Sequence, residues 1–427
     1  MKAPFLRILV GSTAVWAAAW AQGPALSLDQ ARQVALQNHP GIASASLEAQ
    51  AAEYAAREVR SAYFPTLAAN FTGVGSEQDS VLSAGAVTTS SIANRGATGI
   101  VASQLLSDFG RTASLEQGAK LRGAAKEQNV NYTRAQVLLD VEEAYYQALA
   151  AEAVLRVAQA TVNLRRTTLR QISVLAQSNL RSTVDVSFAE VNLSQAELDL
   201  VRAQNGTRAS HARLSAAIGY ERDQPFILND EPLPSELNPD LDTLIVEALR
   251  DRPDLAVLRL NHEALLSYAE AEKRLRYPTI SAAVVSGVAP VRGGVLPETY
   301  TGAGINVSIP VLNGGLFKAR RREAESHAAA ADKDTQELAV RVARDVEVAW
   351  LDANDAFQRL GVTARMVAEA NEALRLAQAR YDNALGSIVE LNQAQVNQTA
   401  AEIAEASAKY EYLSRKADLD YAMGVLR

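Results

Sequence analysis

Cysteine is absent from the 427 residues, which excludes disulfides, cysteine nucleophiles, thiolate metal sites and a lipidated amino-terminal cysteine. Aromatic residues are scarce at 6%, whereas apolar types reach 48% with alanine prominent. That balance favours long helices packed through small side chains over one thick hydrophobic core. Positive charge is not in surplus: 42 Lys and Arg against 49 Asp and Glu give a formal charge of -7, which argues against a general nucleic-acid binder. Beyond the first twenty or so residues no apolar run is long enough for a transmembrane helix. A membrane contact must then use a surface or closed β-structure.

Chemistry-bearing patterns are missing as well. His39, His211, His262 and His327 show no metal-ligand spacing, and no serine sits in a Gly-x-Ser-x-Gly elbow. Gly302-x-Gly304 is followed by Pro310 where a phosphate-binding helix would have to begin. The chain reads as a non-enzyme with no cofactor and no metal site.

What is present begins with a leader. Lys2 and Arg7 precede an apolar, alanine-rich stretch from Ile8 to Trp20, and Ala19-Trp20-Ala21 fits the small-x-small rule for cleavage before Gln22. Residues 1–21 are predicted to be a signal peptide; a single anchoring helix is the other reading, and the stretch is short for one.

The rest is a tandem duplication. Ala35-Leu36-Gln37-Asn38-His39-Pro40 returns as Ala248-Leu249-Arg250-Asp251-Arg252-Pro253, and Tyr63-Phe64-Pro65 returns as Arg276-Tyr277-Pro278, both 213 residues later. Farther on the offset is 205: Asp108-Phe109-Gly110 pairs with Asn313-Gly314-Gly315, and Ala189-Glu190-Val191-Asn192 with Ala394-Gln395-Val396-Asn397. Each half is predicted to be one structural unit. The first repeat spans 22–220, with strands near 66–76 and 96–106 joined by a polar loop over 77–95. A strap over 221–243, rich in proline, leads to the second repeat over 244–427, with strands near 279–288 and 301–312.

After Gly110 and after Gly315 about 65 residues carry no proline and hardly any glycine. Each predicts a helix about 100 Å long, followed by a turn and a return helix. The helical hairpins occupy 111–220 and 316–424. Gly110 and Gly315 are read as permitting tight strand-to-helix corners, with Asp108 and Asn313 as cap or turn residues. The fold class is mainly α with a transmembrane β-barrel. Four strands cannot close a useful lumen and open edges cannot face lipid, so neighbouring copies must close the sheet; composition does not fix how many.

Order and motifs resemble the outer-membrane efflux proteins of the TolC type over nearly the whole mature sequence, Leu26 to Gly424. The resemblance rests on the Leu28-to-Pro40 opening helix and its echo at Leu244 to Pro253, and on the Tyr-Phe-Pro and Arg-Tyr-Pro junctions. It rests also on the corners at Leu105 to Gly110 and Pro310 to Gly315, and on the tip segments Ser182 to Val191 and Gly386 to Val396. It implies a homotrimer with a 12-stranded barrel in outer-membrane lipid and an α-helical periplasmic tunnel. The implied role is the channel of a tripartite efflux or type I secretion system, with a periplasmic adaptor and an inner-membrane pump as partners. A soluble periplasmic coiled-coil scaffold or adaptor is the alternative function.

Members of this family close the tunnel tip through tyrosine, arginine and aspartate contacts. By resemblance Tyr381 matches the tyrosine, Glu390 the first aspartate with a longer arm, and Gln393 the second, while Gly386 stands where an arginine is found. Asp185 is the repeat equivalent of Glu390. The aperture candidates are therefore Asp185, Tyr381, Glu390 and Gln393, up to six carboxylates per trimer, with no guanidinium at 386. Asp185 and Glu390 also suit the start of a return helix, where a carboxylate is favoured anyway. The basic run Lys318, Arg320, Arg321, Arg322 reads either as a solvated helix start or as a contact for anionic groups at the membrane's inner face.

Overall fold

The computed structural model describes residues 25–75, 80–84, 87–92, 95–233, 240–291 and 297–426; the leader lies outside them. The chain forms two compact units, and they do not follow the repeats. One comprises 1–43, 131–252 and 341–427, the other 44–130 and 253–340. The long helices contribute to both units, and strands from both halves share one sheet.

In the unit containing that sheet, β2 (Thr66–Val74) is followed by a short hairpin of β3 (Ser80–Ala84) and β4 (Val87–Ile92), then β5 (Arg95–Ser107). The hairpin lies within the stretch read as a polar loop; serine and threonine disguised it, though both tolerate strand geometry. From the second half come β7 (Thr279–Val291) and β8 (Thr299–Ser308), and the antiparallel order is β2-β5-β7-β8. The second pair is offset from its reading: β7 runs three residues past 288, and β8 stops at Ser308, four short of 312. Pro310 carries no N–H to continue the ladder.

The register sorts the side chains into two faces. Paired rows put Leu67, Phe71, Ile100, Val284, Val288, Ile305 and Val307 on one face, with Thr98, Ser286 and Thr301 among them, and Asn70, Ser103, Ser281, Asn306 and four glycines on the other, with Val101 and Val285 among them. Leu67, Phe71 and Ile305 remain 72%, 83% and 70% exposed. On the second face Tyr300 lies across Gly99 and Gly287, where a Cβ would collide with its ring. One copy holds an open sheet, with β2 and β8 as unpaired edges.

The strand-to-helix corners use two successive left-handed residues, Phe109 (φ 56°) with Gly110 (φ 89°) and Gly314 (φ 61°) with Gly315 (φ 84°). Asp108 accepts from the Gly110 and Thr112 backbone N–H at 3.1 and 2.7 Å, and Asn313 accepts from Gly315 N–H at 3.2 Å. These corners open the long helices α3 (Arg111–Gln177) and α7 (Leu316–Asp382), 67 residues each. At 1.5 Å per residue each is about 100 Å long.

The other unit gathers α1 (Leu28–Asn38) and the return helices α4 (Thr183–Ile218) and α8 (Ile388–Ala422) around the middle of α3, and also contains α5 (Leu241–Asp251). A capping box at Ser27 and Gln30 starts α1. Its core contains Leu28, Ala31, Val141, Tyr145, Leu214, Ile218 and Leu413. Two-residue strands β1 (Ala25–Leu26) and β6 (Ile227–Leu228) pair in parallel, and the buried Tyr145 hydroxyl donates to the Leu26 and Asn229 carbonyls at 2.9 and 2.7 Å. The strap is tied down further by Asp230, which accepts from Lys409 Nζ at 2.8 Å and the Tyr410 hydroxyl at 3.2 Å. The remaining helices, α2 (Pro40–Arg60) and α6 (Pro253–Arg274), run to the strands.

Candidate functional site

The turns that join α3 to α4 and α7 to α8 have one geometry built twice. Asn179 (φ 54°) and Ala384 (φ 58°) take the left-handed conformation. Leu180 N–H then reaches the Leu175 carbonyl at 2.9 Å, and Leu385 N–H the Arg380 carbonyl at 2.8 Å, closing both helix ends. Serine restarts each chain: Ser182 accepts from Val184 N–H at 3.2 Å and Ser387 from Glu390 N–H at 3.1 Å. Asp185 and Glu390 follow in the first turns, beside the positive end of the helix.

Ile172, Ala189, Ala377, Ile388, Leu391 and Tyr381 form a small apolar core at this end. Tyr381 is 3% exposed, and its hydroxyl donates to Asp185 at 3.2 Å. Burial first, and the Asp185 carboxylate next, push the phenol up to about 12. The Arg181 guanidinium lies over the ring, 4.2 Å from its centroid, and donates to the Tyr381 carbonyl. Such a stacked cation stabilises by about 0.5–2 kcal/mol. Tyr381 therefore adds a polar link between the first and second hairpins to the apolar core they share.

Glu390 is held differently. Arg380 Nε donates to it at 2.9 Å, while a second Arg380 nitrogen donates to the Leu385 carbonyl at 3.1 Å. Both partners are well exposed, so the pair orders the turn more than it stabilises it. A Cβ on Gly386 would sit 3.1 Å from Arg380 Cβ and from Glu390 Oε2. Glycine there leaves room for the pair.

Of the four aperture candidates, the structure brings Asp185 and Tyr381 together, pairs Glu390 with Arg380, and leaves Gln393 bonded to Asn397 at 2.9 Å, apart from the others. Gly386 supplies no guanidinium, as its residue type requires, but two arginines stand nearby: Arg380, paired with Glu390, and Arg181, stacked on Tyr381. Sequence reasoning missed both. The signal was available for one: the 205-residue offset makes Arg181 the repeat equivalent of Gly386. No group of three or more potential metal ligands occurs among the described residues, and no helix among them is long and apolar enough to cross a membrane.

The model of the family described as "Outer membrane efflux protein" matches residues 31–220 and 244–425. Outer membrane protein TolC of Salmonella enteritidis is 22% identical over 418 residues, covering 94% of this chain and 82% of that protein. A membrane protein from Pseudomonas aeruginosa shares the fold with a TM-score of 0.82 at 20% identity, over 99% of this chain and 97% of that one. The outer-membrane channel OprN does so with a TM-score of 0.79 at 19% identity, over 93% and 89%. With both repeats matched in order, the chain belongs to the outer membrane efflux protein family.

Proposed function

We propose that the protein is the outer-membrane channel of a tripartite efflux or type I secretion system, conducting passively what an inner-membrane pump delivers through a periplasmic adaptor. The carrying observation is the sheet: one face exposes leucine, isoleucine, valine and phenylalanine, the other is richer in glycine, serine, asparagine and alanine, and both edges of the described sheet are open. That is the requirement of a lipid-facing, water-lined barrel wall contributed by one of several copies. Three copies give twelve strands, enough for an aqueous lumen. A soluble scaffold has no use for an exposed apolar sheet face.

Within that reading the helical hairpins line a periplasmic tunnel whose aperture is formed by Asp185, Tyr381, Glu390 and Gln393. Asp108, Gly110, Asn313 and Gly315 turn the wall into the tunnel. Purified detergent-solubilised protein inserted into planar lipid bilayers should give discrete single-channel steps. A water-soluble monomer that never conducts would overturn the reading.

A further inference from the structure

Midway along the long helix, far from the tip, α3 and α8 flank a cleft of about 420 Å³. Two acids meet there. Glu143 on α3 and Asp418 on α8 both line the cleft and face each other as side-chain hydrogen-bond partners, and two ionised carboxylates that close repel. A single shared proton converts the repulsion into a hydrogen bond. We propose that Glu143 and Asp418 form a proton-operated joint, which clasps α3 to α8 while the shared proton is present and loosens them when it leaves.

The surroundings favour retention of that proton. On α3, Asp140 stands one turn before Glu143 and adds negative charge. On α8, Arg415 is the near cation, but it donates to Asp418 at 3.2 Å, and Glu411 in the cleft wall is already paired with Arg359 of α7 at 2.7 Å. Tyr146 and Tyr410, which also line the cleft, have phenols raised by burial and stay neutral. Burial first, and Asp418 next, push the Glu143 carboxyl up to about 7.

The direction of the pH effect follows. When the joint opens, Glu143 returns to the ordinary glutamate range, so between that range and about pH 7 the closed joint binds more protons than the open one. Closure is therefore strongest in acid, weakens as pH rises through this window, and changes no further above it. The midsection of the hairpins would be tighter in acidified surroundings than in neutral ones.

Hydrogen exchange of the full-length protein in detergent, at about pH 5 and about pH 8 and corrected for intrinsic exchange chemistry, tests this. Opening of the backbone around Glu143 and Asp418 should increase by about tenfold or more with pH. Glu143→Gln keeps a hydrogen bond to Asp418 without the shared proton, and Asp418→Asn does the same from the other side; each should flatten the pH step. Infrared difference spectra should show a protonated-carboxyl band titrating near neutrality in the unmodified protein and missing from Glu143→Gln. A step that survives in both variants, or an unmodified protein with neither step nor band, would overturn the proposal.

Discussion

At the scale of single residues, each hairpin end sets an arginine near its acid: Arg380 pairs with Glu390, and Arg181 covers the tyrosine that holds Asp185. Asp185 and Glu390 carry two negative charges, and Arg181 and Arg380 carry two positive ones within the same hairpin ends. If these ends form the proposed aperture, its selectivity should depend on which charge is removed. Replacing Arg380 by Gln leaves Glu390 uncompensated and should move the reversal potential of a single channel under a salt gradient toward cation preference. Glu390→Gln leaves Arg380 uncompensated and should move it the opposite way, and Asp185→Asn, which keeps the Tyr381 contact, should act in the same direction as Glu390→Gln. Unchanged reversal potentials in all three would make these residues turn-formers with no part in conduction. Arg380 escaped sequence reasoning because it lies on the approaching helix, ten residues from its partner, across a turn whose closure no local pattern specifies.

At the scale of elements, regularity was legible and pairings were not. The proline-free stretches gave the two 67-residue helices nearly end to end. Strand ends were less legible because β-branched and apolar residues continue past them, so Val311 and Leu312 read as strand although both are over 90% exposed outside it. Two-residue β1 and β6 are too short to carry any period. The same limit hides the ion pair that fastens α1 to α3. Glu142 is 3% exposed and accepts from Arg32 at 2.8 and 2.9 Å. Burial raises the Glu142 carboxyl despite Arg32, so desolvation offsets much of the attraction, and the intact pair adds little net stability. Removing one partner is another matter. Arg32→Ala strands a buried acid and should cost about 3 kcal/mol, read as a lowered thermal midpoint in detergent. Replacing both residues by leucine should recover most of that loss; a double variant as unstable as the single one would show that the pair itself holds the helix.

At the scale of the whole molecule, one copy is unfinished by the logic of its own sheet. Strands β2, β5, β7 and β8 alternate in direction, so β8 of one copy and β2 of the next meet antiparallel, the same relation that every internal pair already has. On the proposed reading, one repeated interface would close the sheet, and cyclic symmetry would follow from using it at every junction. The edges are nine and ten residues long, and left open in lipid each would expose backbone groups without partners, at several kcal/mol apiece. The proposal therefore makes association a condition of membrane insertion, and the copies should not separate in mild detergent. The absence of cysteine makes the junction easy to read. A chain with one cysteine in β2, at Thr66, and one in β8, scanned through Gly304, Asn306 and Ser308 on the same face, should form covalent oligomers on oxidation at one or two registers only. The ladder should end at three chains, and the native mass of the detergent complex should agree with three. Each single-cysteine control should remain uncrosslinked. A ladder that ends at two, or crosslinks of equal yield at every register, would show that the edges meet by collision and that the closed twelve-stranded wall is wrong.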